Sequence, residues 1–474
     1  MANPLSPLLA FLRGIVDLLF RFISRSRLWV IDSRTFRLYS IPIKNNAVQA
    51  TEFMKVSPLG IRASYQEHAA KGLMLLDPGF RNTAVGESRI VHIDGNRGIL
   101  QYRQYPIGYL VQNHDYEDVM YLLIWEHLPS RDEKMKFRAQ LAEQMVPHKS
   151  VVNTIQAFRY QPTPFSVSYK HLILHSPDAP AFLIVSAGLS AWAASSPENV
   201  PSYRGRSIYG KDAHAVEDGI YRTLAAFTTV TALTYCHQEG QACTAKPDPA
   251  LSSIDNMLVM MGRTDSTGQP EPKAVAAFNK LWILFADHEI TNSTSAFLNA
   301  TSCLSDPVSA VAASVASANG PLHAGAIDLA YKSFAQLGSK EGVQRHLANV
   351  RAKKCRLMGV GHRVYRTVDP RLHFIRAVLA DLETTAPQSP FLEVAMEIER
   401  SVMTDSYFTS RNLSINADLY SSFAYAALGF EPRIFTSFAM TARCAGVMAH
   451  WRESMSQPPC LWRPRQIFTG EVAS

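Results

Sequence analysis

Residues 359–371 read GVGHRVYRTVDPR, with one histidine, three arginines and one aspartate set around two glycines and a proline. Gly359 and Gly361 bracket a point where the backbone can approach a ligand with no Cβ in the way. His362 follows at once, so a tight turn places its imidazole. Asp369-Pro370 closes the segment, because a residue before proline is pushed out of the helical region. Arg371 then projects from the start of a helical stretch, LHFIRAVLADLE. A loop that gathers a proton donor and several cations suits an anion-rich ligand. The plain alternative is a solvated basic loop, since charge runs usually lie on surfaces. The segment is not a dinucleotide fingerprint, because Val364 stands where the third glycine belongs.

Working outward, 474 residues can bury a large core and suggest two or three domains. Apolar residues make up 47% and charged ones 18%, which fits a folded enzyme and excludes a disordered chain. The net charge of +7 suits an anionic small molecule, a nucleic acid or an acidic membrane surface alike. Six cysteines without a CxxC pair read as an intracellular, reduced protein, with mitochondrial and cytosolic locations both open. No stretch reaches the length of a membrane span. Leu8–Ile23, LLAFLRGIVDLLFRFI, carries Arg13, Asp17 and Arg21 as a thin polar stripe on an apolar helix. It reads as a mitochondrial leader, a membrane-surface anchor, or a helix docking on the body or on a second subunit. The last residues, EVAS, are not a peroxisomal address.

Residues 28–60 alternate apolar and polar in short runs, predicting a small β element, and Ile90–Tyr102 predicts a hairpin about the turn Asp94–Gly98. Thereafter the pattern is helical. Glu117–His127 is an apolar helix ending before Pro129, and Ser130-x-x-Glu133 is a capping box. Phe137, Leu141 and Met145 line one face of the helix that follows, until Pro147. Pro180–Ser195 and Ala215–His237 predict buried helices, with loops at 196–206, 262–273 and 384–390. The fold class is therefore mainly α with a minor N-terminal β portion.

Three further clusters carry chemistry. In ADHEITNSTSA (286–296), His288-Glu289 is the start of a zincin motif, but Asn292 occupies the second ligand's place, so no metal site is expected. Alone, His288 reads as a structural histidine at a helix end. In GPLHAGA (320–326), Gly320-Pro321 breaks the chain and His323 falls at the predicted start of a helix, where amide groups disfavour a charged imidazole. It reads as a neutral hydrogen-bond donor or as a core histidine satisfied by a carbonyl. In SINADLY (414–420), Asp418 sits among apolar residues, so it is either a desolvated base or a helix cap. Arg443, and Arg463 in the terminal WRPRQ, are arginines in apolar sequence, and a buried cation requires an anion.

Taken together these stretches resemble the citrate synthase family. GPLHAGA is similar to its GPLHGGA, GVGHRVYRTVDPR to its GxGHRVYxxxDPR, NADLY to its NVDFY and RPRQIFTG to its RPRQxxTG, in the same order. ADHEITNSTSA, LLDPGFRNTAV and HIDGNRGILQYRQYPI also have counterparts, so the resemblance covers about residues 28–474. It implies an all-helical two-domain fold. Residues 28–323 with 426–474 would form a large domain, 324–425 a smaller one that closes over the site, and 1–27 an extension. It implies condensation of an acyl-CoA with oxaloacetate followed by thioester hydrolysis. Asp418 would be the base, His323 the donor to the thioester oxygen, and His362 the donor to the ketone of oxaloacetate. Arg371, Arg443 and Arg463 would grip carboxylates, with His288 assisting. Arg463 would come from the partner of a homodimer. Arg351, Lys353, Lys354, Arg356 and Arg366 would face the CoA phosphates. No cofactor or metal is implied, acyl-CoA being a substrate.

Departures bear on the substrate. Ala324 replaces a family glycine, Ile327 an asparagine, Ala417 a valine beside the base, and Gln104 a glycine. One methyl group shifts selectivity by only ~1–3 kcal/mol, but several such changes admit a longer acyl chain. The expectation is an alkylcitrate synthase of a secondary-metabolite pathway, with citrate synthase and 2-methylcitrate synthase as alternatives. A non-catalytic metabolite-binding relative is argued against by the retained Asp418, His323 and His362. Nucleic-acid binding through 351–371 lacks a series of aromatic stacking residues.

Overall fold

A computed structural model describes residues 26–58, 71–158, 179–210, 212–243, 246–383, 389 and 391–471. The amphipathic stretch 8–23, most of the loop 384–390 and the last three residues lie outside them. Contacts divide the chain after Glu87 into two compact units.

The first unit holds the N-terminal β element. Strands β1 (Arg27–Asp32), β2 (Arg37–Lys44) and β3 (Ala47–Val48) pair antiparallel in that order, with Val30 opposite Tyr39 and Leu28 opposite Ile41. Tyr39 and Ile41 are buried on one face, and the Tyr39 hydroxyl donates to the Ser57 carbonyl at 3.2 Å. Further on, Asp77 accepts from the backbone of Arg81, Asn82 and Thr83. These bonds, Asn82's above all, hold its carboxyl down at about 2.

The second unit opens with the expected hairpin, β4 (Val91–Asp94) against β5 (Ile99–Tyr102), extended by β6 (Tyr105–Pro106). Helices follow: α1 (Ile107–Asn113), α2 (Tyr116–Trp125), α3 (Arg131–Gln144), α4 (Lys149–Gln156) and α5 (Ala181–Ser195). Next are α6 (Ala213–Gln238), α7 (Ser253–Met260), α8 (Pro272–Phe285), α9 (Asn292–Thr301) and α10 (Pro307–Ala318). The longer helices that follow are α11 (Gly325–Leu337), α12 (Glu341–Arg351), α13 (Leu372–Glu383), α14 (Leu392–Thr404), α15 (Asp418–Ala427) and α16 (Phe435–Met455). Local chemistry sets these ends. The Ser130 capping box is present in both directions, and α2 stops at Glu126 in the left-handed conformation, three residues before Pro129. Pro272 begins α8 inside the predicted 262–273 loop, as proline does at a first helical position.

Two helices form the middle of the core. Helix α6 is buried along most of its length, and α16 is buried from Phe435 to Trp451, as expected of helices apolar on every side. They meet at Thr231 and Thr441, whose hydroxyls are 2.9 Å apart. Phe278 of α8 stacks edge-on against Phe438 of α16 with ring centroids at 5.1 Å, and Tyr425 of α15 packs on both rings. Such ring pairs add about 0.5–1.5 kcal/mol each beyond burial. They fix the mutual placement of the helices that carry Asp418 and Arg443.

Candidate active site

Two loops distant in sequence are joined directly to each other. Val360 and Ile415 form an antiparallel bridge. Gly361 N donates to the Ser414 carbonyl at 2.7 Å, and Asn416 N to the Gly359 carbonyl at 3.0 Å. The Asn416 side chain closes the arrangement. Its Nδ2 donates to the Gly361 carbonyl at 2.7 Å, and its Oδ1 accepts from Asp418 N at 3.0 Å. Gly359 (φ +77°) and Gly361 (φ +84°) are left-handed, and a Cβ on Gly359 would lie 2.8 Å from Leu419. The glycines of the opening motif therefore admit the other loop rather than a ligand. Gly95 of the β4–β5 turn presses on the same segment, where a Cβ would fall 2.2 Å from the Val364 carbonyl oxygen. Its own carbonyl accepts from Arg366 N at 2.8 Å.

The histidines are held in defined tautomers. His362 Nδ1 lies 3.0 Å from Val364 N and 3.1 Å from Tyr365 N. Amides only donate, so Nδ1 accepts and Nε2 carries the proton. At His323 the sense is reversed: Ser293 N lies 3.4 Å and Ser293 Oγ 2.7 Å from Nε2, leaving the proton on Nδ1. Burial, with a cationic arginine nearby, pulls both imidazoles down to about 4. Both are neutral near pH 7, and the Nε2 of His323 is engaged by Ser293 rather than by a carbonyl. His323 itself lies in the turn before α11, which starts two residues later, at Gly325. The delay follows from the turn, in which His323 N bonds back to the Gly320 carbonyl.

His288 is buried at the end of the α8 segment, its Nε2 3.2 Å from the Tyr365 hydroxyl and its ring 5.2 Å from that of His362. Burial, then Arg371 and Arg443, keep it neutral. Arg371 is buried and forks onto Asp369, with Nε to Oδ1 at 3.0 Å and Nη2 to Oδ2 at 2.7 Å. Burial opposes its charge, but Asp369 more than compensates and raises its pKa. Asp369 Oδ2 also accepts from Ala417 N at 3.2 Å, so one carboxylate orients Arg371 and the start of α15. Arg443 on α16 is buried, with Nε on the Phe285 carbonyl at 2.7 Å, while burial and then repulsion from Arg371 lower its pKa.

Asp418 opens α15 without capping it, since no helix amide bonds to its side chain. Loss of solvation lifts its pKa to about 6, and the attraction of Arg371 only partly offsets this. His288, His362 and Tyr365 are joined by ring contacts, and electrostatics couples Arg371 to Asp418 and Arg443 to His288, His323 and Asp418. With Tyr365, the six expected residues His288, His323, His362, Arg371, Asp418 and Arg443 form one cluster with a raised carboxyl and neutral imidazoles.

The remaining expected residues lie elsewhere. Arg463 is exposed on the tail after α16. Lys353, Lys354, Arg356 and Arg366 are exposed, and Arg351 is engaged by Asp405. Sequence reasoning missed Ser293 and the linking roles of Asn416 and Asp369, although all three lie inside quoted motifs. Among the described residues no helix is long and apolar enough to cross a membrane.

A sequence profile described as "Citrate synthase, C-terminal domain" matches residues 79–465. A citrate synthase-like protein of Aspergillus oryzae is 41% identical over 449 residues, spanning 94% of this chain and 96% of that protein. An alkylcitrate synthase from a fungal species is 33% identical over 450 residues, 94% of each chain. Among solved structures, the citrate synthase of Thermoplasma acidophilum, in a ternary complex with carboxymethyl coenzyme A and oxaloacetate, superposes with a TM-score of 0.73. It is 26% identical and covers 84% of this chain and 97% of its own.

Proposed function

The chain belongs to the citrate synthase family and is a citrate synthase-type transferase, and from that premise we propose that it is an alkylcitrate synthase. It condenses an acyl-CoA longer than acetyl-CoA with oxaloacetate, giving an alkylcitrate and free CoA. The observation that carries this reading is the pairing of Asp418, pushed up to about 6, with two imidazoles whose free N–H groups are fixed by backbone amides.

In this reading Asp418 removes a proton from the carbon beside the thioester. An isolated carboxylate is too weak a base for that carbon, so the negative charge must be stabilised as it forms. His323 donates from Nδ1 to the thioester oxygen, and His362 donates from Nε2 to the ketone oxygen of oxaloacetate. The enolate carbon then bonds to the ketone carbon, and the ketone oxygen, held by the His362 hydrogen bond, ends as a hydroxyl bearing the proton that Asp418 took, so that both groups are restored. Water next cleaves the thioester and CoA leaves as the thiol. Arg371, Arg443 and His288 hold the carboxylates of oxaloacetate, and Arg463 joins them from the partner of a homodimer. Lys353, Lys354, Arg356 and Arg366, with Arg351, meet the CoA phosphates. Residues 324–425 close on the remainder, so the enolate forms away from water. The chemistry uses no cofactor.

The acyl preference rests on Ala417, fully buried next to the base where the family pattern has valine, and on Ile327, buried where it has asparagine. A relative that is itself an alkylcitrate synthase supports the same choice. Thiol release measured with acetyl-, propionyl-, hexanoyl- and decanoyl-CoA tests it. Hexanoyl- or decanoyl-CoA is expected to give the highest kcat/KM, and Ala417→Val to move selectivity toward acetyl-CoA by roughly 1–3 kcal/mol. A preference for acetyl-CoA in the parent enzyme returns the assignment to citrate synthase.

A further inference from the structure

Arg443, Gly446 and His450 follow one another at spacings of three and four, so they share one face of α16. The turn after α8 seats on that face. A Cβ on Gly446 would lie 2.3 Å from Asp287 Oδ1 and 2.5 Å from the Ala286 carbonyl oxygen, and Gly446 N reaches that carbonyl at 3.0 Å. Asp287 has no exposed surface, and His450 is 4% exposed. His450 Nε2 lies 3.2 Å from Asp287 Oδ2, whereas Oδ1 has no hydrogen-bond partner.

A fully buried carboxylate oxygen without a donor costs free energy unless its charge is used. The use available here is Arg443. Asp287 attracts this buried cation, yet its Oδ1 takes no hydrogen bond from it. Arg371 is held differently, with Nε and Nη2 both committed to Asp369. Asp287 thus balances a charge while leaving the terminal Nη groups of Arg443 for a ligand, its Nε being held by the Phe285 carbonyl. The Tyr102 hydroxyl, which accepts from Asp287 N at 3.2 Å, steadies the same turn, and His288 is the next residue in the chain.

We propose that Asp287 and His450 form a buried positioning pair that balances the charge of the Arg443 guanidinium and fixes its direction and the seat of His288, and so determines how tightly oxaloacetate is held. This inference rests on the assignment of Arg443 and His288 to oxaloacetate. Neither member of the pair touches substrate.

Steady-state kinetics of the full-length variants D287N, H450L, H450Q and R443Q test it. D287N and H450L are expected to raise the oxaloacetate KM roughly 10- to 100-fold, with the acyl-CoA KM unchanged and kcat lowered less than about threefold. H450Q keeps a donor and is expected to stay near the parent. A fall in melting temperature alone, with the parent oxaloacetate KM in D287N and H450L, overturns the inference while a raised KM in R443Q preserves the site assignment. An unchanged KM in R443Q overturns both. Should D287N fail to fold, H450L against H450Q decides, and equal values overturn the proposal. Should H450L fail to fold, D287N against the parent decides.

Discussion

Asp418 keeps its carboxyl where the proton is favoured, and the cost of that placement is measurable. Its folded-state pKa of about 6 stands above the ordinary carboxyl value of 3.8, so the folded protein holds the proton more tightly than the unfolded chain. Stability therefore falls as pH rises between those values, and the full penalty is present above about pH 6. His323 and His362 act in the opposite sense. Lowered to about 4, they favour the folded state increasingly as pH rises toward 6.5. Asp418→Asn removes only the first contribution. Thermal melts at pH 7.5 are expected to show the variant more stable than the parent by on the order of 2 kcal/mol, with the difference gone near pH 4. The same variant is expected to lose condensation activity, and the parent kcat/KM to decline below about pH 6 as the base is protonated. At this scale the sequence singled out Asp418, His323 and His362 by residue type and motif, and the fold gives all three shifted proton affinities. The sequence was silent on which ring nitrogen holds the proton, because Ser293 lies 30 residues from His323 and the hydrogen bond between them leaves no local pattern.

The elements around the site are held by backbone pairing between segments some 55 residues apart. Asn416 is the side chain that closes this pairing, with one bond to Gly361 and one from Asp418 N. Asn416→Ala leaves both backbone groups short of a partner and is expected to cost about 1–3 kcal/mol. Activity is expected to fall by more than the change in folded fraction at 25 °C explains, since His362 and Asp418 lose their fixed separation. Melting curves together with kcat on the same preparation check this, and a stability loss with unchanged kcat counts against it. Helix boundaries that rest on short-range chemistry, such as the Ser130 capping box, were legible in the sequence. The two glycines of GVGHRV were legible as special backbone but not in their purpose, because Leu419 and Leu413, which crowd them, belong to another segment.

At the scale of the whole molecule, the fold class and the family followed from motif order, while an assembly has no signature in the chain's internal pattern. Arg463, exposed on the tail, is assigned above to the partner's site. That assignment makes a mixing prediction. Arg463→Gln and Asp418→Asn are each expected to be inactive alone. After mixing under exchange conditions, half of the dimers are hybrids and one of the two sites in each hybrid has both native groups, so roughly a quarter of the parent activity should return. Absence of recovery, with hybrids verified by native mass spectrometry, places Arg463 within its own subunit. The bridge between Val360 and Ile415 has a further consequence for such a machine. In the proposed mechanism this bolts the proton acceptor Asp418 to the ketone-side donor His362, so that whatever lifts one lifts the other. Under the proposed closure of 324–425, the jaws would open and shut without recalibration, and a change in the walls around them would leave that spacing alone.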